Sequence, residues 1–313
     1  MRTRTWLGVG AAFACGALLT AVGIGWGEGG AASSLFTPPN GPYVALGDSY
    51  TAGPKIPGQT GEPAGCGRSD RNYPALVADG LGLEAAEFRD VSCSGATMDD
   101  LFAPQSTGNG VNPSQMSAVS TSTRLVTLGI GGNDIGFSSL ITTCVTAGVR
   151  DQVENWLGDR KAKEAPCRER YVSAGTDEVG VKIKAAGERL SGALSHIKRR
   201  APKARVYVVG YPAILPAKDA ACGPAMGLVP GDVGFLRQKQ QQLNAILRVT
   251  ARAAGAVYVD TYTPSVGRDA CSDPDTRWVE PLIPMAPAAP VHPNELGERG
   301  MAHAVLRAVR VPN

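Results

Sequence analysis

Apolar runs of strand length recur through the chain with little internal alternation. They fall at Tyr43–Leu46, Phe88–Val91, Arg124–Ile130, Arg205–Val209 and Ala256–Val259. Near-continuous Val, Leu and Ile, as in "RLVTLGI" and "RVYVVG", marks strands covered on both faces, the condition of a parallel sheet between helices. Helical patterning separates several of them. In "TDEVGVKIKAAGERLSGALSHIKRR" the apolar positions are Val179, Val181, Ile183, Leu190, Leu194 and Ile197, and the last four lie close to one face. A second helix begins near Asp232, carries Leu236, Leu243, Ile246, Leu247 and Val249, and is placed to stop at Gly255. A third runs from a capping Asn294 to about Val309. Strands alternating with helices predict βαβ units and an α/β fold. Ala52–Asn72, Ser138–Arg170 and Pro212–Pro230 read as loops thrown out from one core.

The first 32 residues obey a different pattern. Arg2 and Arg4 precede an uncharged stretch from Trp6 to Trp26, and small residues follow in "GEGGAASS". A basic start, an apolar middle and a small-residue zone make a secretory signal, with Gly30-Ala31-Ala32 as a candidate cleavage site. The apolar stretch, residues 6–26, is also long enough to serve as an uncleaved anchor. Both readings put the rest of the chain outside the cytoplasm. The expected organisation is a signal peptide or membrane anchor over 1–32, a Pro-rich linker over 33–41 and a single domain over 42–313.

Composition narrows the function. The chain of 313 residues is 43% hydrophobic and 19% charged, with a formal net charge of +3. That charge is too small, and too dispersed, for a nucleic-acid partner. Lys198-Arg199-Arg200 closes a predicted helix, where cations suit the negative end of the dipole. Beyond Cys15 in the leader there are Cys66, Cys93, Cys144, Cys167, Cys222 and Cys271. An even number in an exported chain points to disulfides. Many pairings exist; the simplest is in chain order, Cys66–Cys93, Cys144–Cys167 and Cys222–Cys271, because each then closes a local loop. No two of these cysteines have C-x-x-C spacing and no histidine lies near them, which disfavours a metal site.

Candidate chemistry gathers where predicted strands end. In an open α/β sheet ligands bind at the carboxyl ends of the strands. Ser49 follows the first strand in "YVALGDSYTAGP". Gly95 follows the second in "SCSGAT", and Asn133 the third in "GIGGND". His292 precedes the last helix in "PVHPNELG". Hydrolysis of an ester needs a nucleophile, a base for its proton and donors for the oxyanion. Ser49, His292, and the pair Gly95 and Asn133 could supply these in turn. The remaining two of three histidines, His196 and His303, sit inside predicted helices. "GIGGND" is not a dinucleotide loop, because Asp134 stands where the last glycine belongs.

These four segments, in this order and over about Tyr43 to the C-terminus, resemble the SGNH hydrolases, also called GDSL esterases and lipases. The six loop cysteines are most similar to the secreted bacterial branch with three disulfides. The resemblance implies a flavodoxin-like three-layer α/β/α sandwich around a mostly parallel five-stranded sheet. It implies a secreted esterase or lipase acting on acyl lipids or short-chain acyl esters, with no metal or organic cofactor. Ser49 is then the nucleophile. An oxyanion hole forms from the N–H groups of Ser49 and Gly95 and the Asn133 side chain, and His292 is the general base.

One departure stands out. Family members usually carry Asp three residues before the histidine, and here that position is Ala289. A Ser–His dyad is therefore expected, with the Ala289 backbone carbonyl orienting the imidazole. Asp269, Asp273 or Asp275 is the alternative source of a carboxylate. Other readings of the same site are acyl transfer to an alcohol or glycan, and a cell-surface binding protein that has lost catalysis. The expected partner is a small-molecule or lipid ester, and not a nucleic acid. A monomer is expected, with membrane association only through the N-terminal segment.

Overall fold

Five strands form one sheet: β1 (Tyr43–Gly47), β2 (Phe88–Asp90), β3 (Leu125–Gly129), β4 (Arg205–Val209) and β5 (Val257–Val259). Their spatial order is β5-β4-β3-β1-β2 and every pairing is parallel. This is the flavodoxin-like order, which reverses between β1 and β3. The computed structural model describes residues 41–158, 163–217, 222 and 226–311. The expected leader, anchor and cleavage site, and all of the linker but Gly41, lie outside the described residues. Among the described residues no helix is long and apolar enough to cross a membrane.

The strands are apolar throughout because both faces of the sheet are covered. Val44, Leu46, Val126, Leu128 and Val208 join one core cluster, and the alternate residues Tyr43, Ala45, Leu125, Tyr207 and Val209 join another. The first cluster is closed by α5 (Glu178–Arg200) and α6 (Pro230–Ala253), through Leu190, Leu194, Leu243 and Leu247. The second is closed by α2 (Tyr73–Gly80) and α8 (Glu295–Arg310), through Val77, Ala78, Met301 and Val305. Three layers result, as expected.

The predicted helices are found with small shifts. Asp177 caps α5 by accepting the Gly180 N–H, and Asn294 caps α8 by accepting the Gly297 N–H at 3.0 Å. Val181 and Val249, both in the apolar sets read from the sequence, face solvent. Ser138–Arg170, expected as a loop, is instead mostly helical: α3 spans Phe137–Trp156 and α4 spans Pro166–Tyr171. The buried stripe of α3 is Phe137, Leu140, Ile141, Cys144, Gly148 and Asp151. It has helical spacing, but its second half is a cysteine, a glycine and an aspartate, and Ser and Thr crowd the exposed face. That combination hides the period and lowers intrinsic helix propensity.

All three expected disulfides are present: Cys66–Cys93, Cys144–Cys167 and Cys222–Cys271. They tie the excursions back to the core. Cys66–Cys93 fastens the loop after β1 to the segment after β2, where the Ser94 N–H also donates to the Cys66 carbonyl at 3.0 Å. Cys144–Cys167 joins α3 to α4.

Candidate active site

At the reversal point of the sheet β1 and β3 run in register to Gly47 and Gly129, and the chain leaves both strands at the same edge. Gly47 is a glycine for lack of room. A Cβ there would lie 2.2 Å from Thr51 Oγ1 and 2.5 Å from the Gly129 carbonyl oxygen. The side-chain amide of buried Gln115 stands in for a neighbouring strand, accepting the Gly47 N–H at 2.8 Å and donating to its carbonyl at 2.9 Å. The chain then turns into the short helix α1 (Ser49–Ala52), capped by Asp48, whose carboxylate accepts the Tyr50 N–H at 2.9 Å. Ser49 thus opens a helix, almost wholly buried, with its Oγ facing the crevice.

His292 comes from the other end of the chain and meets it. Nε2 of His292 lies 2.7 Å from Ser49 Oγ. Nδ1 lies 2.7 Å from the carbonyl oxygen of Pro290. A carbonyl only accepts, so Nδ1 carries the proton and Nε2 is left as the acceptor for the serine hydroxyl. Burial lowers the pKa of His292 against the raising effect of the Pro290 carbonyl, and the Lys55 charge lowers it further. The imidazole is therefore neutral near pH 7, the state a base requires.

The orienting carbonyl is Pro290, not Ala289 as expected. The Ala289 carbonyl is taken by the His292 backbone N–H at 3.2 Å, which closes a turn over 289–292. Proline at the second position and positive φ at the third, Val291 at 60°, mark a type II turn. In that geometry the first carbonyl closes the turn and the second is the one turned toward the ring. The aspartates offered as alternatives play no part at the ring. Asp269 accepts the Cys271 N–H at 3.0 Å, Asp273 and Asp275 are exposed, and both ring nitrogens of His292 already have partners.

Asn133 comes from the segment after β3 and bonds the segment after β2 at Ala96, next to Gly95. Asn133 lines the same cavity as Ser49, and its Nδ2 donates to the Ala96 carbonyl at 2.9 Å, which leaves that amide a second hydrogen. Gly95 adopts φ of 80°, a left-handed conformation open to glycine at little cost. Neither the Ser49 nor the Gly95 N–H has an acceptor among the described residues. His196 packs edge-on against Phe102, and His303 is exposed on α8.

Two tyrosines and a carboxylate hold these segments together, and none was singled out for that role from the sequence. The Tyr211 hydroxyl accepts the Gly132 N–H at 2.7 Å and donates to Asp48 Oδ2 at 2.5 Å, so it joins the loop after β3 to the loop after β1. Burial pushes the Asp48 carboxyl up to about 7, with the Tyr211 and Tyr50 bonds pulling the other way. Tyr50 lies between Tyr211, 5.1 Å away edge-on, and the His292 ring, 4.9 Å away. Only the position of Tyr50 beside Ser49 could have flagged it; Tyr211 offers no local signal.

The cavity beside Ser49 is narrow and is walled by Phe137, Ile141, Ile214 and Leu243. A hydroxyl against a neutral imidazole, an amide donor lining the same cavity and an apolar hollow are the requirements of acyl transfer.

Known proteins agree with this class. The chain matches the GDSL-like Lipase/Acylhydrolase family over residues 45–299. It is 43% identical over 268 residues to Lipase 2 of Streptomyces coelicolor, covering 84% of each chain. Its fold is similar to that of phospholipase A1 from Streptomyces albidoflavus NA297, with a TM-score of 0.68 at 28% identity, covering 87% of this chain and 100% of that one. An extracellular lipase from Streptomyces rimosus is similar with a TM-score of 0.66 at 27% identity, over 85% of this chain and 98% of that one. The chain belongs to the GDSL-like lipase/acylhydrolase family. It is a carboxylic ester hydrolase.

Proposed function

We propose that the protein is a secreted esterase or lipase that cleaves carboxylic esters through a Ser49–His292 dyad and an acyl-enzyme. The observation that carries this reading is the 2.7 Å contact between Ser49 Oγ and His292 Nε2, with Nδ1 protonated toward Pro290. His292 takes the Ser49 proton as Oγ attacks the ester carbonyl, and returns it to the departing alcohol. The oxyanion is received by the N–H groups of Ser49 and Gly95 and by the second hydrogen of Asn133 Nδ2. Water then repeats the sequence and frees the acid. Every group comes from one chain, so a monomer suffices.

Secretion is supported by the basic and apolar leader, by three disulfides and by the name of the extracellular Streptomyces lipase. The substrate is an acyl lipid, with phospholipids among the candidates because one similar fold is a phospholipase A1, or a short-chain acyl ester. A serine-directed organophosphonate is expected to label Ser49 alone, and Ser49→Ala to lower turnover of p-nitrophenyl esters by about 10⁴-fold or more. Labelling elsewhere with turnover intact in Ser49→Ala would overturn the assignment.

A further inference from the structure

Val291 precedes His292 and holds φ of 60°. This is the turn position that glycine normally fills, and for a β-branched residue it is a strained conformation. Strain of this kind persists only where the surroundings over-determine it. The main chain supplies part of the restraint. The Val291 N–H donates to the Glu280 carbonyl at 3.1 Å, and the Glu280 N–H to the His292 carbonyl at 2.9 Å. The Val291 carbonyl, on the other side of the strained residue, is held by a side chain: the Tyr50 hydroxyl donates to it at 2.5 Å. Tyr50 follows the nucleophile directly in the chain, and its ring lies 4.9 Å from the imidazole. Burial and the neighbouring Asp48 charge keep its hydroxyl protonated well above neutral pH, so the donor is permanent.

We propose that Tyr50 is a positioning residue for His292: its hydroxyl holds the Val291 carbonyl and so keeps the 289–292 turn in the form that aims the Pro290 carbonyl at Nδ1. The nucleophile loop thereby fixes the orientation of its own base. A relaxed turn would release Nδ1 from Pro290 and leave the tautomer and the angle of Nε2 undefined. The inference rests on the Ser49–His292 reading above.

A double-mutant cycle tests it. Tyr50→Phe keeps the ring and deletes the donor. It is expected to lower kcat for p-nitrophenyl acetate about tenfold at unchanged KM, a loss on the scale of one net hydrogen bond. Val291→Gly removes the strain, since glycine adopts this φ freely. In the Val291→Gly background the turn no longer needs the hydroxyl, so adding Tyr50→Phe is expected to cost at most about twofold. A hydroxyl that contacts substrate, or that merely stabilises the fold, would give the same tenfold loss in both backgrounds, and that result overturns the proposal. Thermal melts of all four proteins separate unfolding from misorientation. Ser49→Ala is run alongside. If it is inactive while the cycle is additive, the dyad stands and the positioning role falls; if it retains turnover, both fall together.

Discussion

Nδ1 of His292 is 2.7 Å from the carbonyl oxygen of Pro290, two residues earlier in the same turn. The imidazole is held by its own backbone rather than by a distant carboxylate. A carbonyl fixes the tautomer but carries no full charge, so it stabilises the imidazolium less than an aspartate would. It also cannot be protonated in the working range.

If the backbone alone orients the ring, the nearby aspartates are dispensable for chemistry. Asp269→Asn, Asp273→Asn and Asp275→Asn are each expected to keep kcat within about threefold of the parent. Asp269→Asn should lose some stability, because its buried carboxylate holds the Cys271 N–H. Steady-state kinetics on p-nitrophenyl butyrate decide the matter. A collapse of kcat in any one of them would show that a carboxylate reaches the histidine after all.

The pH dependence follows from the same contacts. Burial, with Lys55 adding to it, lowers the pKa of His292 from 6.5. The acid limb of kcat/KM is therefore expected below pH 6.5. Lys55→Gln removes a lowering charge and should move that limb to higher pH. The sign for stability is the same: the folded chain resists protonating this ring, so its contribution is complete above about pH 6.5 and is lost as the pH falls. Asp48 acts oppositely. Its carboxyl, pushed up to about 7 by burial, holds a proton that the unfolded chain releases, so its contribution declines as pH rises from about 4 to that value. Rate profiles and melts across pH 4 to 9 separate the two groups, because only the histidine limb should respond to Lys55.

The sheet was legible in the chain because a strand buried on both faces must be apolar at every position. All five runs became strands, and Arg205–Val209 did so without a shift. The capping asparagine of α8 was legible because its signal is local. What the sequence withheld depends on distant partners or on unusual backbone. Half of the α3 stripe is non-apolar because Cys144 is bonded to Cys167 and Gly148 packs close to Val229. Pro290 was missed in favour of Ala289 because nothing in "APVHPN" announces a valine in a left-handed conformation. Tyr211 and Asp48 meet across 163 positions, and no local pattern records that contact.

That contact can be cut directly. Tyr211→Phe leaves a buried carboxyl and the Gly132 N–H each short of a partner. Stranding such groups costs about 1–3 kcal/mol, readable as a lower urea midpoint. Activity should fall further than this loss of stability explains, because Gly132 precedes Asn133 and the hydroxyl fixes that loop against Asp48, next to Ser49. A variant with wild-type kcat would show that the loop holds its place without Tyr211.

The disulfides should divide by position. Cys66 and Cys93 are 27 residues apart, and Gly95 lies two residues past the bridge. Replacing both with serine is expected to cost about 3–4 kcal/mol of stability by loop-closure entropy. It should also lower kcat, because the Ser94–Ala96 segment, which holds Gly95 and receives Asn133, is freed. Replacing Cys144 and Cys167, 23 apart and joining α3 to α4, should cost a similar amount of stability with a smaller effect on kcat. Equal losses of kcat in the two double variants, measured well below both melting temperatures, would contradict the proposed role of Gly95 at the oxyanion.

The apolar hollow sets an expectation for acyl length. The hollow is narrow and closed on one side by Phe137, Ile141, Ile214 and Leu243, so acetyl and propionyl esters are expected to be turned over faster than long-chain esters. Phe137 begins α3 and forms one wall, with Ile141 a turn further along the same face. Phe137→Ala removes an aromatic ring from that wall. It should cost about 3 kcal/mol of stability or more if the space stays empty. An acyl chain that fills the vacated volume recovers part of this, since each buried methylene contributes about 0.8 kcal/mol. The chain-length optimum for p-nitrophenyl esters is therefore expected to move to longer acyl groups, with kcat/KM for the acetate reduced. The exposed Phe102→Ala, on the segment that packs against His196, serves as the control and should leave the profile unchanged. If the optimum stays put in Phe137→Ala while the protein remains folded, the acyl chain does not enter this hollow and must lie along the open side of the crevice.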